Sequence, residues 1–270
     1  MNKLSVRLLA SLLLVTGLLP LIVSPVFAAD LQRFGYEVVE RIPQPRENFV
    51  QGLQIVDGTL YVGTGLYSES RLLAYDFPAM NLKKELALPD ELFGEGITVL
   101  DDRIYQLTWR SGLLLEYDAR SFERVNTHRI TTQGWGITHN GSQLIYSDGS
   151  HQLYFLDPSD MSLQRTLAVS LGSRPLPRLN ELEWINGEIW ANVWQSNQVV
   201  RINPENGQVV GIVDLRGLLD PAERQQDTDV LNGIAWDANN NALWVTGKRW
   251  PWLYQLRLRA FPAPTPNPTQ

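Results

Sequence analysis

Glu95, Lys248, Asn180, Gln51 and Asn232 are the side chains of this sequence whose types could do chemistry together, with Trp109, Trp135 and Trp194 beside them. Glu95 could move a proton, Lys248 could face developing negative charge, and the three amides could each donate and accept hydrogen bonds. The indoles could wall off a water-poor box. Each also has a plainer use. A tryptophan is more often core than ligand box, an asparagine can cap a strand entry by bonding local backbone, and Glu95 and Lys248 could be a solvated pair. What favours a joint site is that all eight fall at matching positions of a repeated pattern.

That pattern is clearest over Phe93–Trp109, which reads as two strands of alternating apolar residues joined by the turn Asp101-Asp102. Such a hairpin returns its far end to its start and brings Glu95 and Trp109 to one edge. Its first strand has equivalents beginning Gln51-Gly52-Leu53, Trp135-Gly136-Ile137, Asn180-Glu181-Leu182 and Asn232-Gly233-Ile234. The corresponding turns are Asp57-Gly58, Asn140-Gly141, Asn186-Gly187 and Asn239-Asn240-Asn241, residue types that tolerate left-handed dihedrals. Second strands start at Leu60, Ile104, Leu144, Ile189 and Leu243.

Third strands follow at Leu72–Asp76, Leu114–Asp118, Leu153–Asp157, Val199–Asn203 and Leu253–Leu256. Fourth strands follow at Lys84–Leu88, Arg124–Ile130, Leu163–Val169 and Gln208–Leu215. The fifth repeat has no fourth strand, but Tyr36–Ile42, ahead of the first repeat, carries the missing pattern. A period of roughly 40 to 55 residues with four strands each is the signature of a β-propeller. The expected fold is therefore all-β, a five-bladed β-propeller over residues 30–260 whose last blade is closed by an N-terminal strand. The starts of the first strands and the ends of the second strands (Gly65, Trp109, Gly149, Trp194, Lys248) would then form two rings around one mouth. The insertion Gly217–Val230 is expected beside that mouth.

Composition narrows the chemistry further. There are no cysteines, which removes disulfides, thiolate ligands and a cysteine nucleophile. The three histidines, His128, His139 and His151, leave little for a histidine metal cage or a Ser/His/Asp triad. The net charge of −6 argues against nucleic acid or an anionic membrane as partner. Lys3 and Arg7, an apolar run from Leu8 to Phe27 and the ending Val26-Phe27-Ala28 describe a signal peptide over residues 1–28, cleaved after Ala28. An exported protein, periplasmic or secreted, is expected, with an uncleaved anchor as the alternative. The Pro-rich stretch 261–270 reads as a disordered tail.

At these residues the chain resembles the glutamine cyclotransferase family, the plant and bacterial type of glutaminyl-peptide cyclotransferase. The matching segments include Phe49-Val50-Gln51-Gly52-Leu53, Phe93-Gly94-Glu95-Gly96-Ile97, Gly134-Trp135-Gly136, Leu179-Asn180-Glu181-Leu182-Glu183, Trp190-Ala191-Asn192-Val193-Trp194, Leu231-Asn232-Gly233 and Val245-Thr246-Gly247-Lys248. They occur in every repeat. The resemblance implies conversion of N-terminal glutamine to pyroglutamate with release of ammonia, without cofactor or catalytic metal, on peptide or protein substrates. It suggests Glu95 as proton shuttle, with Lys248 and Asn180 as catalytic partners. Gln51, Trp109, Trp135, Trp194 and Asn232 are expected to bind substrate, in a monomer. Two other classes remain open on the residues alone. One is a metal-dependent propeller lactonase or esterase using Glu95, Asn180 and Asn232 as ligands; the other is a non-catalytic exported propeller that binds peptides.

Overall fold

In the computed structural model, which describes residues 31–261, the apolar repeats become antiparallel four-stranded meanders. The strand β1 (Gln32–Pro43) precedes them. The first meander is β2 (Val50–Val56), β3 (Thr59–Thr64), β4 (Arg71–Asp76) and β5 (Asn81–Ala87). The second is β6 (Gly94–Leu100), β7 (Arg103–Thr108), β8 (Leu113–Asp118) and β9 (Arg124–Arg129). The third is β10 (Ile137–His139), β11 (Leu144–Ser147), β12 (Gln152–Leu156) and β13 (Leu163–Ala168), followed by a small hairpin of β14 (Ser170–Leu171) and β15 (Arg174–Pro175). The fourth is β16 (Leu179–Ile185), β17 (Glu188–Val193), β18 (Gln198–Ile202) and β19 (Val209–Asp214). The last comprises β20 (Leu231–Asp237), β21 (Ala242–Gly247) and β22 (Trp252–Ala260).

Turn chemistry sets the hairpins. Asp57 and Gly58 have φ of 47° and 71°, and Asn186 and Gly187 have 51° and 85°. Positive φ at both central residues matches the right-handed twist of the strands they join. The N-terminal strand does complete the last meander: β1 runs antiparallel to β22 from Phe34↔Ala260 to Pro43↔Trp252. It also does something the sequence pattern does not indicate. Its first residues pair in parallel with β19, Gln32↔Gly211 to Phe34↔Val213, so the fourth and last meanders merge into one eight-stranded sheet.

The first strands pack against one another in cyclic order: β2 on β6, β6 on β10, β10 on β16, β16 on β20, and β20 on β2. Apolar clusters fill the spaces between successive meanders. Leu72, Ala74 and Leu88 of the first meet Ile97, Ile104 and Leu115 of the second, and Leu107 and Leu114 of the second meet Ile137, Leu144 and Tyr146 of the third. Burial on both faces belongs to the inner strands: β6 is buried throughout and β4 and β7 nearly so, whereas the outermost strands β5 and β9 are mostly exposed. Each fully buried Leu or Ile contributes roughly 1.5–3 kcal/mol. Trp190 and Trp244 are buried in these layers, while Trp184 and Trp236 are half-buried at their borders.

The expected signal segment 1–28 lies outside the described residues. Of the expected tail, only Phe261 is described; its N–H donates to Arg33 O at 2.8 Å.

Candidate active site

A ladder break, not a simple strand start, aims the first-ring side chains. In the second meander Gly94 pairs with Thr108 and Ile97 with Gln106, leaving Glu95 and Gly96 bulged between them. The same irregularity separates Leu179 from Leu182 at Asn180-Glu181, and Leu231 from Ile234 at Asn232-Gly233. It also falls between Val50 and Gly52, at Gln51. A bulge bends its strand and re-aims the extra residue, which is why such breaks recur beside functional sites. Trp135 sits just ahead of β10, held by its N–H to Ser147 O at 2.9 Å and by Gly96 N–H donating to its carbonyl at 2.7 Å.

These residues line a cavity of about 220 Å³ with Phe49, Gln51, Leu66, Phe93, Glu95, Trp109, Trp135, Asn180, Trp194, Asp229 and Lys248 around it. Of the eight sequence-derived candidates, the structure brings seven into this lining. The exception is Asn232, which is fully buried beneath it, against Gln51 rather than against the open space. The bulge of β20 turns its amide NH₂ toward β2, where it donates to Val50 O and Gln51 Oε1.

The side chains that sequence reasoning missed are Phe49, Phe93, Leu66 and Asp229. A signal for the first two was present, since each phenylalanine stands two residues before a ring residue, Gln51 or Glu95. Phe93 meets Trp109 edge-on with centroids 5.4 Å apart and Phe49 at 6.3 Å. On the other side Trp135 and Trp194 meet at 5.4 Å and 84°. Gly149 makes room for this second wall: at φ +82° a Cβ there would lie 2.6 Å from the Trp135 ring. Asp229 comes from the end of the 217–230 insertion, whose N–H donates to Lys248 O at 3.1 Å while Lys248 N–H donates to Val230 O at 2.9 Å. That strand-like pairing brings the insertion to the mouth.

The electrostatics follow from burial. Glu95 is 5% exposed, and desolvation raises its carboxyl well above the ordinary range, partly opposed by the Lys248 ammonium. Desolvation likewise lowers the Lys248 ammonium, opposed by Glu95 and Asp229. Its Nζ lies 4.9 Å from the centre of the Phe49 ring, an attraction worth about 0.5–2 kcal/mol. Two polar atoms of the lining, Trp135 Nε1 and Asn180 Oδ1, are buried without a hydrogen-bond partner. Leaving such groups unpaired costs roughly 1–3 kcal/mol each, which a ligand's own donors and acceptors would recover.

Below the cavity the axis is braced by carboxylates. Glu181 accepts from Leu53 N–H at 3.3 Å and from Ile234 N–H at 2.8 Å, tying three first strands together. Glu183 accepts from Trp236 N–H at 2.9 Å. Burial pushes Glu183 up to about 8. A folded-state pKa above the unfolded one means stability is fully present below about 4.5 and falls as pH rises through about 8. The slope approaches about 1.4 kcal/mol per pH unit inside that window. Glu183→Gln retains an oxygen for Trp236 N–H and should remove this contribution, so denaturant melts between pH 5 and 8 should show a shallower decline than wild type. An unchanged slope would contradict the assignment.

Known proteins resemble this chain in sequence and in fold. The family described as Glutamine cyclotransferase matches residues 12–258. The glutaminyl-peptide cyclotransferase of Arabidopsis thaliana is 39% identical over 237 residues, covering 86% of this chain and 73% of that protein. The crystal structure of Myxococcus xanthus glutaminyl cyclase superposes with a TM-score of 0.79 at 31% identity, over 86% of this chain and all of that one. With the family matched across all the meanders and a relative 39% identical over most of the chain, the chain belongs to the glutamine cyclotransferase family.

Proposed function

We propose that this protein is a glutaminyl-peptide cyclotransferase built as a five-bladed β-propeller, converting N-terminal glutamine to pyroglutamate and releasing ammonia. The observation that carries the chemistry is the desolvated Glu95 carboxyl inside an aromatic cavity that also holds Lys248. Its volume of about 220 Å³ lies below the roughly 300–1,000 Å³ of drug-sized pockets and suits a single terminal residue. The rest of a peptide would leave through the mouth. The cyclic packing of the first strands supports the propeller reading.

The reaction needs no protein nucleophile. The substrate's α-amine nitrogen attacks its own γ-carboxamide carbon, one C–N bond forms, and the other C–N bond breaks as ammonia departs. Holding the bent conformer is the larger part of the task, because a well-oriented intramolecular attack has effective molarities of roughly 10⁵–10⁸ M. The walls Phe93–Trp109 and Trp135–Trp194 clamp that conformer and exclude water. Glu95 takes the proton that the amine loses on attack and returns it to the departing nitrogen. Its upward shift suits the task, since a shuttle works best with a pKa near the operating pH. Lys248, Asn180 and Gln51 supply polar contacts to the reacting amide and the amine. Residues 1–28 support an exported form of the same enzyme, which intact mass of the mature chain would check.

The deciding experiment is mass spectrometry with ammonia detection on a peptide bearing N-terminal glutamine, using residues 30–270, with and without a chelator. One ammonia released per pyroglutamyl peptide, unaffected by chelator, is the expected result. A folded protein that binds the peptide without product would sink the reading, and chelator-sensitive turnover would redirect it to a metal-assisted reaction.

A further inference from the structure

Asn232 lies outside the cavity, yet its hydrogen bonds dictate what the cavity wall presents. Its Nδ2 donates to Val50 O at 3.1 Å and to Gln51 Oε1 at 3.4 Å. A backbone carbonyl can only accept, so the bond to Val50 settles which end of the Asn232 amide faces β2: the NH₂ end. An NH₂ group facing Gln51 requires the Gln51 oxygen in return. Gln51, 3% exposed and part of the lining, therefore keeps its oxygen turned back toward Asn232, and its Nε2 is the end left for the cavity.

We propose that Asn232 is a positioning residue that fixes the rotation of the Gln51 amide, so that Gln51 Nε2 donates to the γ-carboxamide oxygen of an N-terminal glutamine. The inference rests on the cyclotransferase reading and adds to it. A carboxamide substrate offers both an oxygen and an NH₂, and a freely rotating Gln51 could bind either one. Held from behind, it selects the oxygen, the atom on which charge develops as the amine attacks. A donor oriented before the reaction contributes more to a transition state than one that must rotate to meet it. Asn232 itself touches no substrate. Its bulge in β20 and the neighbouring bulge in β2 place the two amides edge to edge.

The test is a double-mutant cycle on ammonia release, with Asn232→Ala, Gln51→Ala and the pair. Removing one such donor typically costs about 10²–10³ in kcat, so Gln51→Ala should fall in that range. Asn232→Ala should lower kcat roughly tenfold with KM changed less than about twofold, and should have almost no further effect once Gln51 is alanine. Equal effects of Asn232→Ala in both backgrounds would overturn the proposal. Gln51→Glu answers the question even if Asn232→Ala does not fold, because it keeps the shape and the acceptor but loses the NH₂. A loss of about 10² is expected, and near-wild-type kcat would mean that the oxygen end was the one in use. If the wild-type chain releases no ammonia, the cyclase reading fails separately. The Gln51 side-chain NH₂ resonances, compared between wild type and Asn232→Ala, then decide the orientation by shifting or staying fixed.

Discussion

Glu95→Gln should reduce kcat on N-terminal glutamine peptides by about 10³-fold or more while leaving the fold intact, at the strong end of what a positioned acid–base group supplies. Glutamine has the same outline and can occupy the bulge between Gly94 and Ile97, but it cannot receive a proton from the amine and pass it on. The stability readout has a definite sign. The Glu95 carboxyl is raised above its ordinary value, so its favourable contribution is present at low pH and is lost as pH rises through the shifted value. The variant carries no such loss, and its melting temperature at pH 8 should equal or exceed that of wild type.

The pH profile separates this from a general disturbance of the site. In wild type, deprotonation of Glu95 and of the substrate amine should both shape the acidic limb of kcat/KM, with loss of the Lys248 proton acting on the alkaline side. Residual turnover of Glu95→Gln should retain the limb set by the amine, near pH 8, and lose the one set by Glu95. The Lys248 ammonium, deprived of the carboxylate that opposes its desolvation, should also titrate lower. A variant with near-wild-type kcat and an unaltered profile would remove Glu95 from the mechanism.

Gly136→Ala is the second large effect, on stability first and on activity through it. A Cβ at this position would lie 2.0 Å from Asn180 O and 2.7 Å from Glu181 Cα. Both are backbone atoms, so no side-chain rotation relieves the contact, and β16 would have to move away from β10. Ser147 Oγ bridges this same junction, accepting from Gly136 N–H at 2.9 Å and donating to Asn180 O at 2.7 Å. Displacing β16 would strain both bonds and draw Asn180 out of the cavity wall. Overpacking alone costs roughly 1–3 kcal/mol, and a rigid backbone obstacle places the substitution at or above the upper end. Denaturant unfolding should show a loss of about 3 kcal/mol or more, with kcat/KM falling at least tenfold in the protein that still folds. A stability change under about 1 kcal/mol would mean that the ring of first strands is more yielding than its contacts indicate.

Much of the site was legible because strand period and turn chemistry are local properties. Alternation over Phe93–Trp109 and the Asp, Asn and Gly turns locate the hairpins, and hairpins return their ends to one edge whatever surrounds them. Aligning them was enough to bring Gln51, Glu95, Trp109, Trp135, Asn180, Trp194 and Lys248 to one mouth, and to assign Tyr36–Ile42 as the partner of β22. The parallel pairing of Gln32–Phe34 with β19 carries no such local signal, because it depends on where two distant strand ends meet.

The fine aim of the side chains was decided by tertiary structure alone. Bulges at Gln51, Glu95, Asn180 and Asn232 arise where crowded first strands break their ladders, and they send Glu95 into the cavity but Asn232 behind Gln51. Phe49, Phe93 and Asp229 become lining residues only because neighbouring meanders close on one another. The shifts of Glu95 and Lys248 have the same origin. The sequence by itself determined that Gln51, Glu95, Trp109, Trp135, Asn180, Trp194 and Lys248 come to one mouth, since local pattern sets strand and turn positions; the tertiary structure decided which residues join them, which side chains face the cavity and how they ionise, since these depend on burial by residues distant in the chain.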